Sequence, residues 1–192
     1  TDLHLHANGI DQSKLRDKHH ITNPSICKSQ ILMRDYTFEE SKVVMQELIE
    51  DVASRVRARK QMARTIHFSF GYSEGGGVHK QYTLEDPTNL EKEIFKVVNY
   101  YANHLCDKKV LYRTLSVSLT QLVPEDQRQL NLFFDEYERK RDEKLAKTID
   151  NLHMKYGKGI VSKAISYTDS GTKHGRCLLY TSLMARGRRV DL

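Results

Sequence analysis

The sequence is poor in the features that mark several large protein classes. It has no tryptophan, only three prolines and only three cysteines among 192 residues. No apolar stretch approaches the ~20 residues that a membrane-spanning helix needs, so we expect no membrane partner. Cys27, Cys106 and Cys177 lie far apart in the chain. Their spacing excludes a disulfide framework or a zinc knuckle and predicts a cytoplasmic protein in a reducing compartment.

Positive charge is concentrated toward the end of the chain. The net charge is +6, but residues 135–192 alone hold 13 Lys+Arg against 8 Asp+Glu. A nearly neutral body therefore carries a basic tail. Such a tail is typical either of a solvated segment or of one that meets a polyanion.

Two segments have the period of amphipathic helices. In the first, Val44, Leu48 and Val52 recur every four residues, after Thr37 and Glu40 in the spacing of a capping box. In such a box the threonine hydroxyl accepts from a helical N–H and the glutamate reaches back to the cap. The pattern predicts a helix that begins after Thr37.

The second helical segment has the same organisation. Thr88 and Glu91 are spaced for another capping box, and Ile94, Val98 and Leu105 follow at helical intervals. The two boxes are 51 residues apart. We therefore expect two similar half-units.

Strand patterns surround these helices. Residues 26–34, 64–72, 78–84 and 112–120 read as strands, and the glycine-rich residues 73–77 read as a hairpin turn. The order is β-α-β-β-α-β, which predicts an α+β, ferredoxin-like domain with a four-stranded, antiparallel-type sheet. Right-handed crossovers place both helices on one sheet face. The other face is expected to be open and to carry hydroxyls, amides and His67.

The first residues suggest a different class of protein. Asp2, His4 and His6 form an Asp-x-His-x-His pattern, with which many metal-dependent hydrolases begin. In a strand, residues i and i+2 share a face, so the two imidazoles would point at one ion. A metal-dependent phosphoesterase is one hypothesis, but the other histidines form no further ligand cluster in the sequence.

The ordered set of capped helix, strand 64–72, glycine turn and strand 112–120 resembles the little-finger domain of Y-family translesion DNA polymerases. The branch that it resembles is the Gram-positive UV-damage repair and mutagenesis (ImpB/MucB/SamB-like) branch. The resemblance implies four regions. These are the end of the thumb and the connector (1–23), the little-finger domain (24–122), a linker with a clamp-binding peptide (123–135), and a helical then basic tail (136–192).

The resemblance also implies where the chemistry resides. In this family, palm carboxylates bind Mg²⁺ and activate the primer hydroxyl. The chain contains no candidate for those carboxylates and does not begin with methionine. We therefore expect the non-catalytic C-terminal part of a DNA repair and SOS mutagenesis polymerase. It would have no cofactor of its own and would contact the palm, fingers and thumb of the same polypeptide.

The little finger of this family binds template–primer DNA through its backbone, without reading sequence. Small side chains on the strands allow close approach, hydroxyls donate to phosphate oxygens, and nearby cations release counterions. The predicted DNA-binding residues are Lys28, Arg34, Arg64, His67, Ser69, Lys80, Arg113, Thr114, Ser116 and Ser118.

The stretch QLNLF resembles the peptide that binds the bacterial sliding clamp. Gln129 would offer its amide, and Leu130, Leu132 and Phe133 would provide the apolar contacts. Tethering to the clamp would raise the local concentration of a weak DNA binder. A third hypothesis remains open, in which the ferredoxin-like domain is a protein-interaction module that binds neither DNA nor metal.

Overall fold

The structure is a computed structural model that describes residues 2–10, 24–127 and 136–173. Its helices are α1 (Asp2–Ala7), α2 (Phe38–Ala58), α3 (Glu91–Leu105) and α4 (Glu136–Tyr156). Its strands are β1 (Ile26–Tyr36), β2 (Gln61–Tyr72), β3 (Gly77–Thr88) and β4 (Tyr112–Pro124). Short 3-10 helices span Glu125–Gln127 and Ala164–Tyr167.

The sheet has the strand order β1-β4-β2-β3, and each neighbouring pair is antiparallel. As a result β1 runs parallel to β2 with β4 between them, and β3 runs parallel to β4 with β2 between them. The two β-α-β units are therefore split and interleaved. The predicted α+β class, element order and four-stranded antiparallel sheet are confirmed.

One face of the sheet forms the hydrophobic core with α2 and α3. Alternate residues of the two central strands, including Ile66, Phe68, Leu115 and Val117, are almost completely buried. Val44, Leu48, Val52 and Val56 of α2 and Ile94, Val98 and Ala102 of α3 cover them. The two helices also contact each other, so together they form a single layer on this face.

The capping box of α2 is confirmed. Thr37 is the N-cap, its side chain accepts from the Glu40 N–H, and the Glu40 carboxylate accepts from the Thr37 N–H at 2.8 Å. Both polar groups at the helix start are thereby satisfied.

The capping box predicted at Thr88 and Glu91 is wrong. β3 extends to Thr88, so α3 begins only at Glu91, and its N-cap is Leu90, which makes no side-chain cap bond. Thr88 accepts instead from the Leu90 N–H at 3.1 Å. The Glu91 carboxylate is held by Arg57 of α2 at 3.1 Å. A buried cation from another helix therefore recruits the side chain that the local pattern assigned to a cap.

The strand geometry that the metal-site hypothesis requires at His4 and His6 is not present, because these residues lie in α1. A helix turns by about 100° per residue, so side chains two residues apart point in nearly opposite directions. Within the described ranges, no three His, Cys, Asp or Glu side chains are grouped so that they could hold a metal ion. The strand geometry behind the phosphoesterase hypothesis is therefore lost.

The helical part that we expect at the start of the 136–192 tail is confirmed as α4. Ala146 is buried, whereas Leu145 and Tyr156 are 59% and 58% exposed. Ion pairs also join α4 to the body: Asp150 binds Arg57, and Arg139 binds Glu93. α4 therefore lies against the domain through small or half-buried side chains and ion pairs, and leaves its larger apolar side chains partly exposed.

The chain after α4 continues around the outer face of α2. Lys158 binds Asp51 at 2.7 Å, and Lys163 binds Glu50 at 3.0 Å. Thr172 donates its N–H and its hydroxyl to the buried carboxylate of Glu47. The contacts of residues 157–173 with the body are therefore made mainly to the helical layer. No described helix combines the length and apolar character that crossing a bilayer requires.

Candidate nucleic-acid interface

The sheet face opposite α2 and α3, which we call the open face, is polar. Strand register assigns its residues to rows that cross the sheet in the order β1-β4-β2-β3. One row is Cys27, Ser118, His67 and Gln81, and the next is Ser29, Ser116, Ser69 and His79. Because side chains alternate along a strand, these residues point away from the core. The open face is therefore lined mainly by short hydroxyls and imidazoles.

Two serines occupy the centre of this face. The Oγ atoms of Ser69 and Ser116 are 2.7 Å apart. One hydroxyl donates to the other, so the accepting hydroxyl retains a proton that can be donated outward. Such a pair can bind an anionic oxygen without a long side chain.

A second polar group lies toward the end of the sheet where β2 begins. Thr65 is 1% exposed, and its Oγ1 is 3.1 Å from Oγ1 of Thr83 and donates to Oε1 of Gln121 at 2.8 Å. These bonds satisfy the buried hydroxyl and fix the Gln121 side chain across the β2–β4 ladder.

At the opposite end of the open face, Thr114 lies between Gly71 and the exposed Ile31. A Cβ on Gly71 would be 2.0 Å from Oγ1 of Thr114. The glycine therefore leaves room for the threonine hydroxyl, and backbone is near the surface at this point. A sugar-phosphate chain could approach closely there.

Five of the predicted DNA-binding residues lie together in these rows, namely His67, Ser69, Thr114, Ser116 and Ser118. Their placement agrees with the alternation that the sequence shows. Ser29, Gln81 and Thr65 share the face and were missed. Ser29 and Gln81 could have been identified from the sequence by extending the alternation of the central strands β2 and β4 to the edge strands β1 and β3.

Two predicted cations lie on the other side of the sheet. In the strand register, Lys28 lies opposite Val117 and Lys80 lies opposite Phe68. Val117 and Phe68 are buried against the helices, so both lysines lie on the helical side of the sheet. Lys28 binds Asp51 of α2 at 3.1 Å. The Lys80 ammonium lies 5.4 Å from the ring centroid of Tyr101 in α3. Both are edge residues that contact the helical layer.

Arg34 is engaged near the start of α2. Its guanidinium binds the Glu40 carboxylate and lies 4.2 Å from the ring centroid of Tyr36. The hydrogen bond from Arg34, followed by that from the Thr37 backbone, lowers the pKa of Glu40 from 4.5 to about 2. Arg34 therefore completes the capping box of α2.

Arg113 binds Asp35 of β1 at 3.2 Å, with both side chains more than 40% exposed. A surface pair of this kind contributes ~0.5 kcal/mol and exchanges readily with solvent. Arg64 is exposed in β2 between the buried Ala63 and Thr65.

The predicted clamp-binding residues Gln129, Leu130, Leu132 and Phe133 lie outside the described residues, so their role stays a prediction.

Comparison with known proteins identifies the family of this chain. The model described as impB/mucB/samB family C-terminal domain matches residues 23–132. A Bacillus subtilis protein named "Putative UV-damage repair protein UvrX" is 37% identical over 174 residues, which is 88% of this chain and 41% of that protein. A DNA polymerase IV of Moorella thermoacetica is 33% identical over 175 residues, which is 90% of this chain and 43% of that protein.

A shorter match is the "DNA repair protein homolog YobH" of Bacillus subtilis, 42% identical over 105 residues, which is 53% of this chain and 48% of that protein. The chain spans less than half the length of these curated relatives. Among solved structures, the "Complex of beta-clamp processivity factor and little finger domain of PolIV" aligns with a TM-score of 0.43 at 11% identity. The alignment covers 58% of this chain and 100% of that one.

The family model covers more than half of the chain and includes all four strands and both core helices. This match confirms the resemblance drawn from the capped helix and the strand pattern. The chain belongs to the impB/mucB/samB family, and residues 23–132 are its C-terminal domain.

Proposed function

We propose that this chain is the C-terminal part of a translesion polymerase that acts in bacterial DNA repair, and that its open face lies along template–primer DNA. The observation that carries the proposal is the row of short hydroxyls, centred on Ser69 and Ser116, on the sheet face that no described helix covers. Short donors reach phosphate oxygens but not deep base edges. Binding would therefore ignore sequence, which suits an enzyme that crosses damaged sites.

Polymerase chemistry in this family requires Mg²⁺ bound by palm carboxylates. We infer that those carboxylates lie in the part of the parent protein that this chain does not span. The residues of the chain would hold and orient the duplex for that site, in the cytoplasm, where bacterial DNA is found. The connector would allow the little finger to remain on the duplex while the rest of the parent polypeptide engages the primer end.

The DNA proposal is tested by fluorescence anisotropy with a labelled primer–template duplex across a salt series. We expect binding at low salt that weakens linearly in log–log form, with a slope of about −0.9 for each neutralised phosphate. A second duplex with the same shape and a scrambled sequence is the control and should bind equally. No binding at low salt, or a flat salt response, would favour a protein-interaction module instead.

We further propose that the peptide Gln129–Phe133 binds the sliding clamp. Its sequence supports this role, because Leu132 and Phe133 are adjacent apolar residues that follow the last strand of the domain in a polar stretch. The double variant Leu132→Ala/Phe133→Ala should abolish capture of this chain by an immobilised bacterial clamp. Its DNA affinity should not change. Undiminished capture would remove the clamp from the proposed partners.

A further inference from the structure

A chain of aromatic rings crosses the helical side of the domain, away from the open face. The ring of Tyr100 in α3 lies 5.3 Å from that of Tyr101 and 4.5 Å from that of His104, measured between centroids. Tyr101 lies 5.2 Å from Tyr82 of β3, which stands opposite the buried Ile66 and so belongs to the helical side. The four rings form one continuous cluster, which we call the aromatic row.

Packing of the core accounts for only half of the aromatic row. Tyr82 and Tyr101 are half-buried, and Tyr101 packs against the hydrophobic core. Tyr100, by contrast, is 59% exposed, and His104 is exposed beside it. Nδ1 of His104 donates to the Tyr100 carbonyl at 2.7 Å, so the imidazole is held in place although it is exposed. Apolar burial, the usual reason for an aromatic side chain, does not explain these two rings.

Unpaired cations flank the aromatic row. Lys96 lies one helical turn before Tyr100, and His104 lies one turn after it, so the three side chains share a face of α3. Lys108 and Lys109 follow in the turn beyond the helix. All three lysines are exposed, and none of them makes an ion pair or a side-chain hydrogen bond within the part of the chain that the structure describes. Their charges are available to a ligand.

The helix dipole explains part of this positive charge. Cations at the C-terminal end of a helix interact favourably with its dipole, but Lys96 lies in the middle of α3 and gains little from it. Of the carboxylates nearest in sequence, Glu93 is held by Arg139 at 3.3 Å, and Asp107 accepts from the backbone N–H of Lys109 at 2.8 Å. The lysines beside the row therefore outnumber the carboxylates that could neutralise them.

An exposed tyrosine near a lysine does not by itself mark a site. Tyr156, at the end of α4, is 58% exposed, and the Lys155 ammonium lies 5.0 Å from its ring centroid. No second ring contacts Tyr156 among the residues whose structure is described. The aromatic row differs because contacting rings and unpaired lysines occur at the same place.

We propose that Tyr100 and His104 stack on the bases of single-stranded DNA, and that Lys96, Lys108 and Lys109 bind its phosphates. Proteins that bind single strands without reading sequence combine exposed rings with cations in this way. An acidic peptide would satisfy the lysines but would leave the ring faces unused. A duplex keeps its base faces stacked inside, so it cannot make the same contact. The site therefore goes beyond the duplex binding proposed for the open face and does not depend on it.

The stacking contact is tested by fluorescence anisotropy with a labelled thymidine oligonucleotide. Tyr100→Ala should lower the affinity of the chain about tenfold, the loss expected for one stacked base. Tyr100→Phe keeps the ring and should bind as the unaltered chain does. Tyr156→Ala is the matched control and should also leave the affinity unchanged. Because Tyr100 is exposed, none of these variants should change the fold or the affinity for a blunt duplex.

The phosphate contacts are tested by the slope of log affinity against log salt for the same oligonucleotide. Lys96→Gln/Lys109→Gln should make the slope shallower by about 1.4, or 0.7 for each lost contact with a single strand. The control is Lys140→Gln/Lys144→Gln, which removes two exposed lysines of α4 that form no ion pair among the described residues. This control should keep the slope of the unaltered chain.

Photochemical cross-linking locates the bound strand. An oligonucleotide with one 5-iododeoxyuridine should cross-link to Tyr100, as identified by peptide mass spectrometry. The inference is overturned if Tyr100→Ala keeps its affinity for the single strand or weakens duplex binding equally. It is also overturned if polyglutamate of equal charge displaces the oligonucleotide as well as an unlabelled single strand does, because the surface would then bind an acidic protein. Loss of duplex binding alone would contradict the function proposed for the open face and leave this site standing.

Discussion

Arg57 of α2 and Asp150 of α4 form a two-point ion pair, with Nε 2.6 Å and Nη2 3.1 Å from the two carboxylate oxygens. The Arg57 side chain is only 7% exposed. Its remaining donor Nη1 reaches the Asn89 carbonyl and the Glu91 carboxylate. This single guanidinium therefore joins α2, the start of α3 and α4.

Asp150→Asn should loosen α4 from the body. The substitution leaves Arg57 with one carboxylate in a mostly buried position, which we expect to cost about 2 kcal/mol. Amide hydrogen exchange across α4 should become roughly thirtyfold faster, while β2 and β4 exchange as before.

The matched control for Asp150 is Asp142→Asn, because the partner of Asp142, Lys92, is 72% exposed. Loss of this surface pair should change exchange in α4 by less than about threefold. Equal effects of the two substitutions would show that Arg57 does not hold the helix.

Acid should weaken the capping box of α2. The pKa of Glu40 is lowered to about 2, first by its hydrogen bond from Arg34 and then by that from the Thr37 backbone. Because the folded pKa lies below the ordinary value of 4.5, this carboxylate stabilises the fold above about pH 4.5. The contribution is lost as the pH falls toward 2.

Urea unfolding of the unaltered chain and of Glu40→Gln tests this pH dependence. The unaltered chain should be the more stable of the two at pH 7, and the difference should shrink steadily between about pH 4.5 and 2. A difference that stays constant over this range would contradict the assigned pKa.

Bound duplex should shield Cys27. Its thiol is exposed and lies in the open-face row with Ser118 and His67. Cys106 is buried, and burial raises the pKa of its thiol, so it should react slowly with iodoacetamide whether or not DNA is present. Saturating duplex should slow alkylation of Cys27 at least tenfold, as followed by peptide mass spectrometry in a Cys177→Ser background. Unchanged labelling of Cys27 by a chain that binds the duplex would place the DNA on another face.

Gly77→Ala should be much more costly than a substitution at the neighbouring turn glycine. Gly77 has a φ of 151°, and a Cβ there would lie 2.5 Å from the Phe70 carbonyl oxygen, which the sheet holds in place. We expect a loss of about 3 kcal/mol. Gly75→Ala, with a φ of 100° and no atom within 4 Å of the added Cβ, should lose about 1 kcal/mol. Thermal unfolding measures both, and similar melting temperatures would argue against the steric explanation.

Local sequence signals predicted the parts of the structure that depend on neighbours along the chain. The Thr37–Glu40 box and the four-residue period of Val44 and Leu48 are complete within two turns of helix, and they identified α2. Alternation along 64–72 and 112–120 likewise identified the open face, including Ser69 and Ser116. These patterns report which side of an element is apolar, and that property belongs to the segment itself.

The same reasoning failed where a distant partner competes for a side chain. Thr88 and Glu91 have the spacing of a cap, but the extended β3 and the guanidinium of Arg57 occupy them. His4 and His6 fit a strand motif but lie in a helix. Lys28 and Lys80 read as cations at strand edges, and only the register of β1 and β3 shows that they face the helices.

By itself, then, the sequence determined the order of helices and strands, the family, and the hydroxyl character of the open face. Only the tertiary structure decided which charges are already paired and which, such as Lys96, remain available to a ligand. The physical reason is range. Periodicity and capping act over a few residues, whereas an ion pair such as Arg57–Asp150 joins residues 93 positions apart. Such a pair exists only once the layers are assembled.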